Sequence, residues 1–491
     1  MNLAGKRVLV LGLGESGLAC ALWCLRQGAS VRVADTRAAP PYLAELNRRV
    51  TGADSCIEFR SGEFSPELLG GVDLLALSPG LPGNLPLVAE ARRRGIVVAG
   101  EIELFAWALR DLDVASRPRV VAITGTNGKT TTTALTGHLL AGTGTRVGVA
   151  GNISPAALTA LMDAEDAQAL PQIWVLELSS FQLETTRTLF AAAATVLNIS
   201  DDHLDRYDGL DAYAGAKTAI FLGDPTAPCV QVLNRDDARV SGMARPGHRI
   251  IRFGLDAPAG AEDFGLRENH GQTWLVQGER FLLPLAELPL AGLHNAANAM
   301  AALALCAALG FDAEALLPAL RGFRGLPHRV EKVAVIDGVT WYDDSKGTNV
   351  GATVAALSGL GGMNGRRCVV ILGGDGKAQD FSPLNEAVAK HARAAILIGR
   401  DGPLIGQAIA GAGVPVETAA DMEDAVRRAA TLAQSGDAAL LSPACASFDM
   451  YRNYDHRAQV FVAAVQALAA TSRPISCFAT RSSSASAWWP A

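Results

Sequence analysis

Short runs of Val, Ile and Leu alternate with Ala- and Leu-rich stretches along most of the chain. The first block opens with RVLVLG at 7–12, continues with a helical pattern from Ser16 to about Gln27, and has further strand-like segments at 30–34 and 72–77. Buried strands that alternate with helices are typical of parallel sheets covered on both faces. The pattern therefore predicts an α/β fold built on parallel sheets.

The same alternation continues in two further blocks. The second block is predicted to have strands at 119–124, 173–178 and 195–199, and a helix at 295–309. Between about 225 and 290 the alternation weakens, which predicts an antiparallel flap or an elaborated insertion. The third block has predicted strands at 339–342, 368–372, 394–398 and 438–441, followed by a helix through 459–469.

Pro- and Gly-containing segments near 116–118 and 322–327 separate these blocks, so that we expect domains at 1–116, 117–325 and 326–470. The chain has 491 residues, which at roughly 150 residues per domain is consistent with three domains. Residues 471–491 are rich in Ser and have no hydrophobic period, and we predict a disordered tail there.

Composition narrows the class of protein. With 43 Lys+Arg against 49 Asp+Glu, the net charge of -6 gives no electrostatic footprint for nucleic acid. The eight Cys residues lack metal-ligand spacing, which favours reduced thiols in the cytosol. The N-terminus has no signal-peptide pattern, and no apolar window is long enough to span a membrane. We therefore expect a cytoplasmic protein without membrane insertion.

The strongest chemical signal is the segment TGTNGKTT at 124–131, which lies between a predicted strand and a helix that begins near Lys129. Backbone N–H groups of such a glycine loop converge on phosphate oxygens at a helix N-terminus. Lys129 is expected to pair with the β- and γ-phosphates, and the Thr130 hydroxyl to reach Mg²⁺. Gly125 lies three residues before Gly128, a shorter spacing than in the common GxxxxGK[ST] motif. The segment predicts an ATP site.

Acidic ligands for the metal should lie at the ends of neighbouring parallel strands. Glu177 ends one predicted strand, and Asp201, Asp202 and His203 follow another. Glu177 and His203 are separated by a length that suits one βαβ crossover, so both can face the phosphates. Lys217, on the helix after His203, could by itself be any surface lysine.

Three polar clusters follow predicted strands of the third block, at 343–349, 373–377 and 442–447. They should gather along one edge of a parallel sheet. Lys346 and Lys377, with the hydroxyls of Thr348 and Ser447, would suit a small substrate that carries a carboxylate, or a phosphoryl group in transfer.

The first block contains GLGESG at 12–17, which matches GxGxxG, with Asp35 further along. This motif is a weak indication of NAD, because similar glycine turns bind many phosphates. Together with an ATP loop, it indicates a nucleotide-diphosphate substrate at least as strongly. The segment SPGLPG at 78–83 could supply further backbone donors.

Several of these segments resemble the ATP-dependent Mur ligases. The motifs are TGTNGKTT, ELSSFQLE (177–184), NISDDHLDRY (198–207), LHNAANAMAA (293–302), GLPHRVE (325–331), DDSKGTNV (343–350), LGGDGK (372–377) and SPACASFD (442–449). The resemblance covers about residues 5–470, and the DDSKGTN and SPACASFD segments indicate the members that add D-glutamate.

The resemblance implies a Rossmann-like UDP-substrate domain, a central P-loop-type ATPase domain with a mostly parallel sheet, and a Rossmann-like C-terminal domain that closes over the site. It also implies a reaction of peptidoglycan precursor synthesis. In the expected reaction, ATP activates the carboxylate of UDP-N-acetylmuramoyl-L-alanine as an acyl phosphate, and the amino group of D-glutamate attacks this acyl phosphate. The cofactors expected are ATP and Mg²⁺, with two ions, and the expected state is a monomer.

The resemblance also implies roles for individual residues. The expected nucleotide contacts are Gly125, Thr126, Asn127, Gly128, Lys129, Thr130, Thr131, Asn295, Asn298, Arg329 and Asp344. The expected metal ligands are Thr130, Glu177, His203 and Lys217, the last as a carbamate. The expected UDP-substrate contacts are Gly14, Asp35, Thr36, Arg37, Ser78, Gly80 and Asn152. The expected D-glutamate contacts are Thr348, Lys377, Ser447 and Tyr454, and the expected catalytic residues are Lys129, His203, Lys217, Lys346 and Lys377.

Two positions depart from the family pattern. Tyr454 stands where a phenylalanine often lines the D-glutamate pocket, and Glu15-Ser16 places a carboxylate beside the expected pyrophosphate. Three alternatives remain. A sister ligase could add another amino acid, although a folate enzyme would lack the UDP domain. A dinucleotide-dependent oxidoreductase would leave the loop at 125–131 without a use. An NTP-driven binding protein would release phosphate without an amino acid.

Overall fold

The computed structural model describes residues 2–50, 57–202, 206–223, 228–361 and 366–471. Within these residues the strands form three sheets, each with helices packed against it. The predicted α/β class is confirmed. In the same described part of the chain, every helix is too short or too polar to traverse a lipid bilayer.

The first sheet has the strand order β3-β2-β1-β4-β5, and its printed pairings are parallel. Its strands are β1 (Arg7–Leu11), β2 (Ser30–Asp35), β3 (Ile57–Ser61), β4 (Leu74–Leu77) and β5 (Val97–Ala99). Its helices are α1 (Glu15–Arg26), α2 (Leu43–Arg49), α3 (Pro86–Arg93) and α4 (Glu101–Asp111). The chain order reverses between β1 and β4, so a crevice for a ligand is expected at the carboxyl ends of these two strands.

The central sheet has the order β14-β13-β12-β11-β10-β9-β6-β8-β7. Its strands are β6 (Arg119–Thr124), β7 (Val147–Gly151), β8 (Ile173–Glu177), β9 (Ala193–Val196), β10 (Val230–Asn234), β11 (Ile250–Phe253), β12 (Phe264–Asn269), β13 (Gln272–Gln277) and β14 (Arg280–Pro284). The associated helices are α5 (Lys129–Ala141), α6 (Ala157–Asp166), α7 (Ser180–Leu183), α8 (Leu210–Thr218), α9 (Ala238–Ser241), α10 (Leu293–Ala308) and α11 (Leu317–Gly322).

Two sequence predictions for this block need correction. The strand expected at 195–199 is Ala193–Val196, because the chain leaves the sheet after Val196 to pass beside the phosphate loop. The weakly alternating segment is only partly an antiparallel flap. Strands β10 and β11 pair in parallel and extend the main sheet, whereas β12, β13 and β14 pair antiparallel.

The third sheet has the order β15-β16-β20-β17-β18-β19, in which the β15–β16 pair is antiparallel and the other printed pairs are parallel. Its strands are β15 (Glu331–Ile336), β16 (Val339–Asp343), β17 (Cys368–Gly373), β18 (Ala392–Ile398), β19 (Val416–Thr418) and β20 (Ala438–Leu441). Its helices are α12 (Val350–Gly361), α13 (Pro383–His391), α14 (Gly402–Ala408), α15 (Met422–Leu432) and α16 (Tyr454–Thr471).

The chain divides into two compact units. The first comprises the described residues of 1–199, 203–284 and 298–321, and the second those of 200–202, 285–297 and 322–491. The first and central sheets belong to the first unit and share one hydrophobic core, in which the rings of Phe105 and Trp174 meet edge to face at 5.4 Å. The domain boundaries expected from the sequence stay predictions. The tail at 471–491 lies, apart from residue 471, outside the described residues.

Candidate functional site

The segment between β6 and α5 is a tight loop fixed by the chain that follows β9. The Thr126 N–H donates to the Asn198 carbonyl at 2.9 Å, and the Asn127 N–H donates to the Asn198 side chain at 2.8 Å. Gly125 and Gly128 have φ values of 147° and 82°, conformations that favour glycine. Helix α5 then begins at Lys129, as the sequence predicted.

Lys129 folds back over this loop. Its Nζ donates to the carbonyls of Gly125 at 3.0 Å and Thr126 at 2.8 Å. The ammonium group is therefore held at the mouth of the loop, where the N-terminus of α5 favours an anion. A strong acceptor such as a phosphate oxygen could replace these carbonyl contacts.

Asn298 packs directly against the loop. Its Oδ1 accepts from the Thr132 hydroxyl at 3.3 Å, and a Cβ added at Gly128 would stand 2.3 Å from that oxygen. Gly128 is therefore needed both for its backbone conformation and for close packing. Thr131 is buried in the first turn of α5.

Glu177 ends β8, the strand beside β6. Its side chain is only 2% exposed. One carboxylate oxygen, Oε1, accepts from the Asn152 amide at 2.9 Å, and the buried Oε2 has no hydrogen-bond partner among the described residues. A buried carboxylate oxygen without a partner is costly unless a further group satisfies it, and oxygen is the ligand that Mg²⁺ prefers.

Lys217 is buried on α8, with 1% exposure. Its Nζ donates to the Thr124 hydroxyl at 3.3 Å and to the Gly125 carbonyl at 3.1 Å, and it lies 4.5 Å from the centre of the Tyr213 ring. The Tyr213 hydroxyl in turn lies 3.3 Å from the Thr126 hydroxyl. The fold thus brings a lysine that the sequence could not distinguish from a surface residue to the base of the phosphate loop.

The predicted metal ligands are only partly described. Thr130 lies in the first turn of α5, beside Lys129, and Glu177 lies at the end of the neighbouring strand. His203 is outside the described residues. Glu177 Oε2 and the Thr130 hydroxyl are hard oxygen donors that fit Mg²⁺.

The first sheet brings another group of predicted residues to one edge. Asp35, which ends β2, accepts from the Leu13 N–H at 2.8 Å and from the Arg37 guanidinium at 2.7 and 2.8 Å. The Arg37 contacts hold the pKa of Asp35 at about 2. The carboxylate therefore stays charged and fixes the glycine loop after β1. Ser78 follows β4 and bonds through its N–H to the Leu11 carbonyl at 3.0 Å.

Other residues that are predicted to contact the UDP-substrate at this edge have open space around them or are exposed. A Cβ at Gly14 or at Gly80 would meet no atom of the described residues within 4 Å, and Thr36 and Arg37 are exposed. Gly17, in contrast, packs so closely that a Cβ would stand 1.9 Å from the Gly12 carbonyl oxygen. The glycine motif therefore combines one closely packed position with open positions that leave room for a ligand.

Glu15 points toward the central sheet. Its carboxylate accepts from the Ser154 hydroxyl at 2.7 Å and from the Ala156 N–H at 3.2 Å, where α6 begins. A carboxylate at a helix N-terminus is stabilised by the helix dipole. The departure from the family pattern at this position is thus accommodated by contacts beside the segment that carries Asn152.

In the second unit, the three predicted polar clusters follow β16, β20 and β17, which are neighbours in the third sheet. Their expected placement along one edge is confirmed. Asp344 is buried there and accepts from the Ser442 hydroxyl at 2.7 Å. Burial raises the pKa of Asp344 to about 7, against the opposing effects of Ser442 and Arg329.

Tyr454 lies under a cation at the same edge. The Lys346 Nζ is 3.6 Å from the centre of the Tyr454 ring, a cation–π arrangement that holds the ammonium group in place. Arg457, one turn further along α16, is buried and donates to the carbonyls of Cys445 and Ser345 at 3.0 and 2.9 Å. Burial lowers the pKa of Arg457 to about 10.

The remaining predicted residues of this edge differ in exposure. Ser447 is buried, Thr348 is half-buried, and Lys377 is exposed with a left-handed φ of 50°. Lys377 is anchored through its N–H, which donates to the Asp375 carboxylate at 3.1 Å. Asn295 is buried in the second unit, and its amide donates to the Ala291 carbonyl at 2.8 Å.

A different cluster has the geometry of metal ligands. Among the described residues, His328, Glu331 and Asp343 place one ligand atom each within 4.8 Å of the others. The His328 Nδ1 lies 2.7 Å from Asp343 Oδ2, and the Ser345 N–H and hydroxyl donate to the other oxygen of Asp343. These groups satisfy one another, and they connect the segment before β15 to the end of β16.

Sequence reasoning overlooked several residues that fix the phosphate loop. Asn198 lies in the NISDDHLDRY motif, but the motif by itself gives this residue no role. Tyr213 has no signal in the sequence, and the TGTNGKTT motif, which Thr124 opens, does not indicate that Thr124 contacts Lys217. Their roles depend on contacts between segments that are distant in sequence, and a motif alone does not report such contacts.

Comparison with family models identifies three parts of the chain. Residues 6–100 match the MurD-like N-terminal domain of Mur ligases, residues 123–306 match the Mur ligase middle domain, and residues 328–445 match the glutamate ligase domain of Mur ligases. With the phosphate loop, these matches define a ligase that uses ATP. The chain belongs to the Mur ligase family.

Individual relatives cover nearly the full length. A protein of Aromatoleum aromaticum named UDP-N-acetylmuramoylalanine--D-glutamate ligase is 58% identical over 95% of this chain and 98% of its own. A protein of the same name from Nitrosospira multiformis is 55% identical over 96% of this chain and 97% of its own.

A solved structure is similar in fold. The UDP-N-acetylmuramate-alanine ligase of Thermotoga maritima matches with a TM-score of 0.56, 19% identity, and coverage of 94% of this chain and 99% of that one.

Proposed function

We propose that this chain uses ATP to join the carboxylate of UDP-N-acetylmuramoyl-L-alanine to the amino group of D-glutamate, in peptidoglycan precursor synthesis. The observation that carries the proposal is the phosphate loop at the end of β6 beside buried Glu177, whose Oε2 lacks a hydrogen-bond partner within the part of the chain that the structure describes. The choice of substrates is supported by the name of the relative that is 58% identical over 95% of this chain.

The chemistry requires activation because a carboxylate is a poor electrophile at neutral pH. A carboxylate oxygen of the substrate attacks the γ-phosphorus of ATP, and the bond between that phosphorus and ADP breaks. The amine of D-glutamate then attacks the acyl-phosphate carbonyl. The tetrahedral intermediate collapses to the amide, and phosphate and a proton are released. Lys129 and the N–H groups at the start of α5 orient the triphosphate for this transfer.

Thr130, Glu177, His203 and carbamylated Lys217 are proposed to hold Mg²⁺, with two ions. When bound, these ions neutralise phosphate and carboxylate charge and align the attack on phosphorus. The hard oxygen atoms of Thr130 and Glu177 are consistent with this assignment.

Lys217 is suited to carbamylation by its position. Its Nζ is buried and held by Thr124 and Gly125 at the base of the phosphate loop. When the Nζ–carbon bond to CO₂ forms and two protons leave, an ammonium cation becomes a carbamate anion. The product offers oxygen ligands to a metal ion at a place where the ammonium group would repel it.

The edge of the first sheet is proposed to bind the UDP-substrate. Asp35 orders the glycine loop through Leu13 and Arg37, while the Gly14 and Gly80 positions are open. The full set of proposed contacts is Gly14, Asp35, Thr36, Arg37, Ser78, Gly80 and Asn152. Asn152 bonds Glu177, which is consistent with a place close to the reacting carboxylate.

The edge of the third sheet is proposed to bind D-glutamate. Thr348, Lys377, Ser447 and Tyr454 are the proposed contacts, and Lys346 is held against Tyr454 by a cation–π contact. Asn295, Arg329 and Asp344 of the same unit are proposed nucleotide contacts. A monomeric state and a cytoplasmic location complete the proposal.

The proposal is tested with purified protein, ATP, Mg²⁺, UDP-N-acetylmuramoyl-L-alanine and a panel of amino acids. Phosphate release should require D-glutamate and should be much slower with L-glutamate, L-alanine or a diamino acid. The Lys129→Ala variant supplies the background, because it lacks the cation that orients the triphosphate. Phosphate release at the same rate with every amino acid, or at the same rate when no amino acid is added, would refute the ligase assignment and favour an NTP-driven binding protein.

A further inference from the structure

The guanidinium group of Arg206 connects the first sheet to the central sheet. It donates through Nη1 to the Pro79 carbonyl at 2.8 Å, and through Nη2 to the Leu81 carbonyl at 3.0 Å. The same Nη2 lies 3.2 Å from Glu184 Oε2. The side chain is only 14% exposed. One arginine therefore contacts two carbonyls of the loop at 78–83, hereafter the SPG loop, and a carboxylate beside α7.

Neighbouring groups fix the orientation of Arg206. Its guanidinium lies 3.9 Å from the centre of the Phe181 ring. The Tyr207 hydroxyl donates to the other oxygen of Glu184 at 2.6 Å, and the rings of Tyr207 and Phe181 stack with centroids 6.0 Å apart. A planar guanidinium can stack on a ring and donate from its edge simultaneously, which a lysine ammonium cannot do.

The SPG loop is also held from its other end. The Arg92 guanidinium donates to the Gly83 carbonyl at 2.8 Å, and a Cβ at Gly83 would stand 3.4 Å from Glu184 Oε2. The Gly83 end of the loop is thus held by α3 and lies next to Glu184. Its conformation between Ser78 and Gly83 depends on residues from outside the first sheet.

Contacts continue from Arg206 to the groups around the phosphate loop. The rings of Tyr207 and Tyr213 lie 5.4 Å apart, and Tyr213 contacts both Thr126 and Lys217. Phe181 lies on α7, which begins three residues after Glu177. The Ser179–Gln182 capping box fixes the start of α7, so Phe181 has a defined position relative to Glu177.

We propose that Arg206 is a positioning residue that holds the SPG loop in the conformation that receives the UDP part of the substrate and fixes it relative to Glu177 and the phosphate loop. The inference rests on the proposed function, because it assigns the SPG loop to the UDP-substrate. Arg206 itself does not contact the reacting atoms in this role. By ordering the SPG loop before the substrate arrives, Arg206 lowers the conformational entropy that is lost on binding.

The test compares Arg206→Ala and Arg206→Lys with the unchanged protein, whose turnover of the UDP-substrate is measured first. We expect Arg206→Ala to raise KM for the UDP-substrate at least about tenfold and to change KM for D-glutamate by less than about twofold. For Arg206→Lys, KM for the UDP-substrate should lie between the values of the unchanged protein and of Arg206→Ala, because lysine keeps the charge but lacks the planar guanidinium group.

Arg235→Ala is the matched control. Arg235 is also a little-exposed arginine of the first unit, and it donates to the carbonyls of Phe264 and Asp256 at 2.7 and 2.6 Å, far along the chain from the SPG loop. The Arg235→Ala variant should have a lower thermal stability but an unchanged KM for the UDP-substrate. An equal rise of this KM in Arg235→Ala would show a merely structural effect and would overturn the inference.

Glu184→Gln is a second test variant, for the case in which Arg206→Ala does not fold. It keeps the shape but removes the charge that Arg206 and Tyr207 contact, and a smaller rise, about threefold, is expected in the same KM. A wild-type KM for the UDP-substrate in both Arg206→Lys and Glu184→Gln would overturn the inference. If the unchanged protein fails to join D-glutamate to the UDP-substrate, the proposed function fails instead, and the two failures are distinguishable.

Discussion

Replacing Asp344 with Asn should change how the stability of the second unit depends on pH. The Asp344 carboxyl group is buried after β16, where Oδ2 accepts from the Ser442 hydroxyl at 2.7 Å and Oδ1 from the Val330 N–H at 3.3 Å. Burial raises its pKa from 3.8 to about 7. Asparagine has nearly the same volume and no charge to desolvate.

The magnitude follows from the pKa difference. Because the pKa of Asp344 is higher in the folded protein, the folded state keeps a proton that the unfolded state has lost between about pH 4 and 7. Stability therefore falls as pH rises through this window. At about 1.4 kcal/mol per pKa unit, the full loss is about 4 kcal/mol, of which about 3 kcal/mol falls between pH 5 and pH 8. Asp344→Asn lacks this loss.

Hydrogen exchange of the amides of β16 and β20, measured for both proteins from pH 5 to pH 8, reports the opening free energy of this sheet after correction for intrinsic exchange rates. The advantage of Asp344→Asn over the unchanged protein should grow by about 3 kcal/mol across this range. Titrations common to both proteins cancel in the difference. An advantage that is independent of pH, or that shrinks as pH rises, would refute the proposed ionisation of Asp344.

Two further predictions concern the phosphate loop. Gly128→Ala should abolish ATP turnover and destabilise the first unit by about 1–3 kcal/mol, because φ is 82° and the new Cβ would stand 2.3 Å from Asn298 Oδ1. Gly144→Ala is the control, because Gly144 has φ 80° and no described atom within 4 Å of an added Cβ. It should lower the free energy of unfolding by about 1 kcal/mol and keep ATP turnover. Equal activity of the two variants in a phosphate-release assay would contradict the packing explanation. Lys217→Ala should lower kcat by about 100-fold or more with partial recovery in acetate or formate, whereas exposed Lys332→Ala should keep full activity. Failure of small acids to restore kcat would count against the carbamate.

Much of the fold was readable from the sequence because its signals are local. Apolar runs predicted β1, β6, β8, β17 and β20 closely, since strands buried on both faces have few polar positions. The TGTNGKTT motif predicted a helix that begins at Lys129 because glycines permit the turn that precedes it. The end of β9 was placed three residues too late, because the apolar run continues past Val196 after the backbone has left the sheet.

The candidate site was only partly readable. Sequence motifs indicated Glu177 and the phosphate loop, but not that one oxygen of Glu177 would be buried with no partner in the described residues. Lys217 had no signal of its own, and only the packing of α8 buries it beside Thr124. For Glu15, the sequence suggested a carboxylate next to a pyrophosphate, whereas its observed partners are Ser154 and Ala156.

The sequence by itself determined the α/β class, the order of the blocks, the glycine loops and the family. These properties depend on periodicity and on backbone conformations encoded within a few residues. Only the tertiary structure decided the partners of Lys217, Glu15 and Arg206, and the altered pKa of Asp344. Such properties arise from desolvation and from contacts between segments far apart in sequence, and both exist only after the chain has packed.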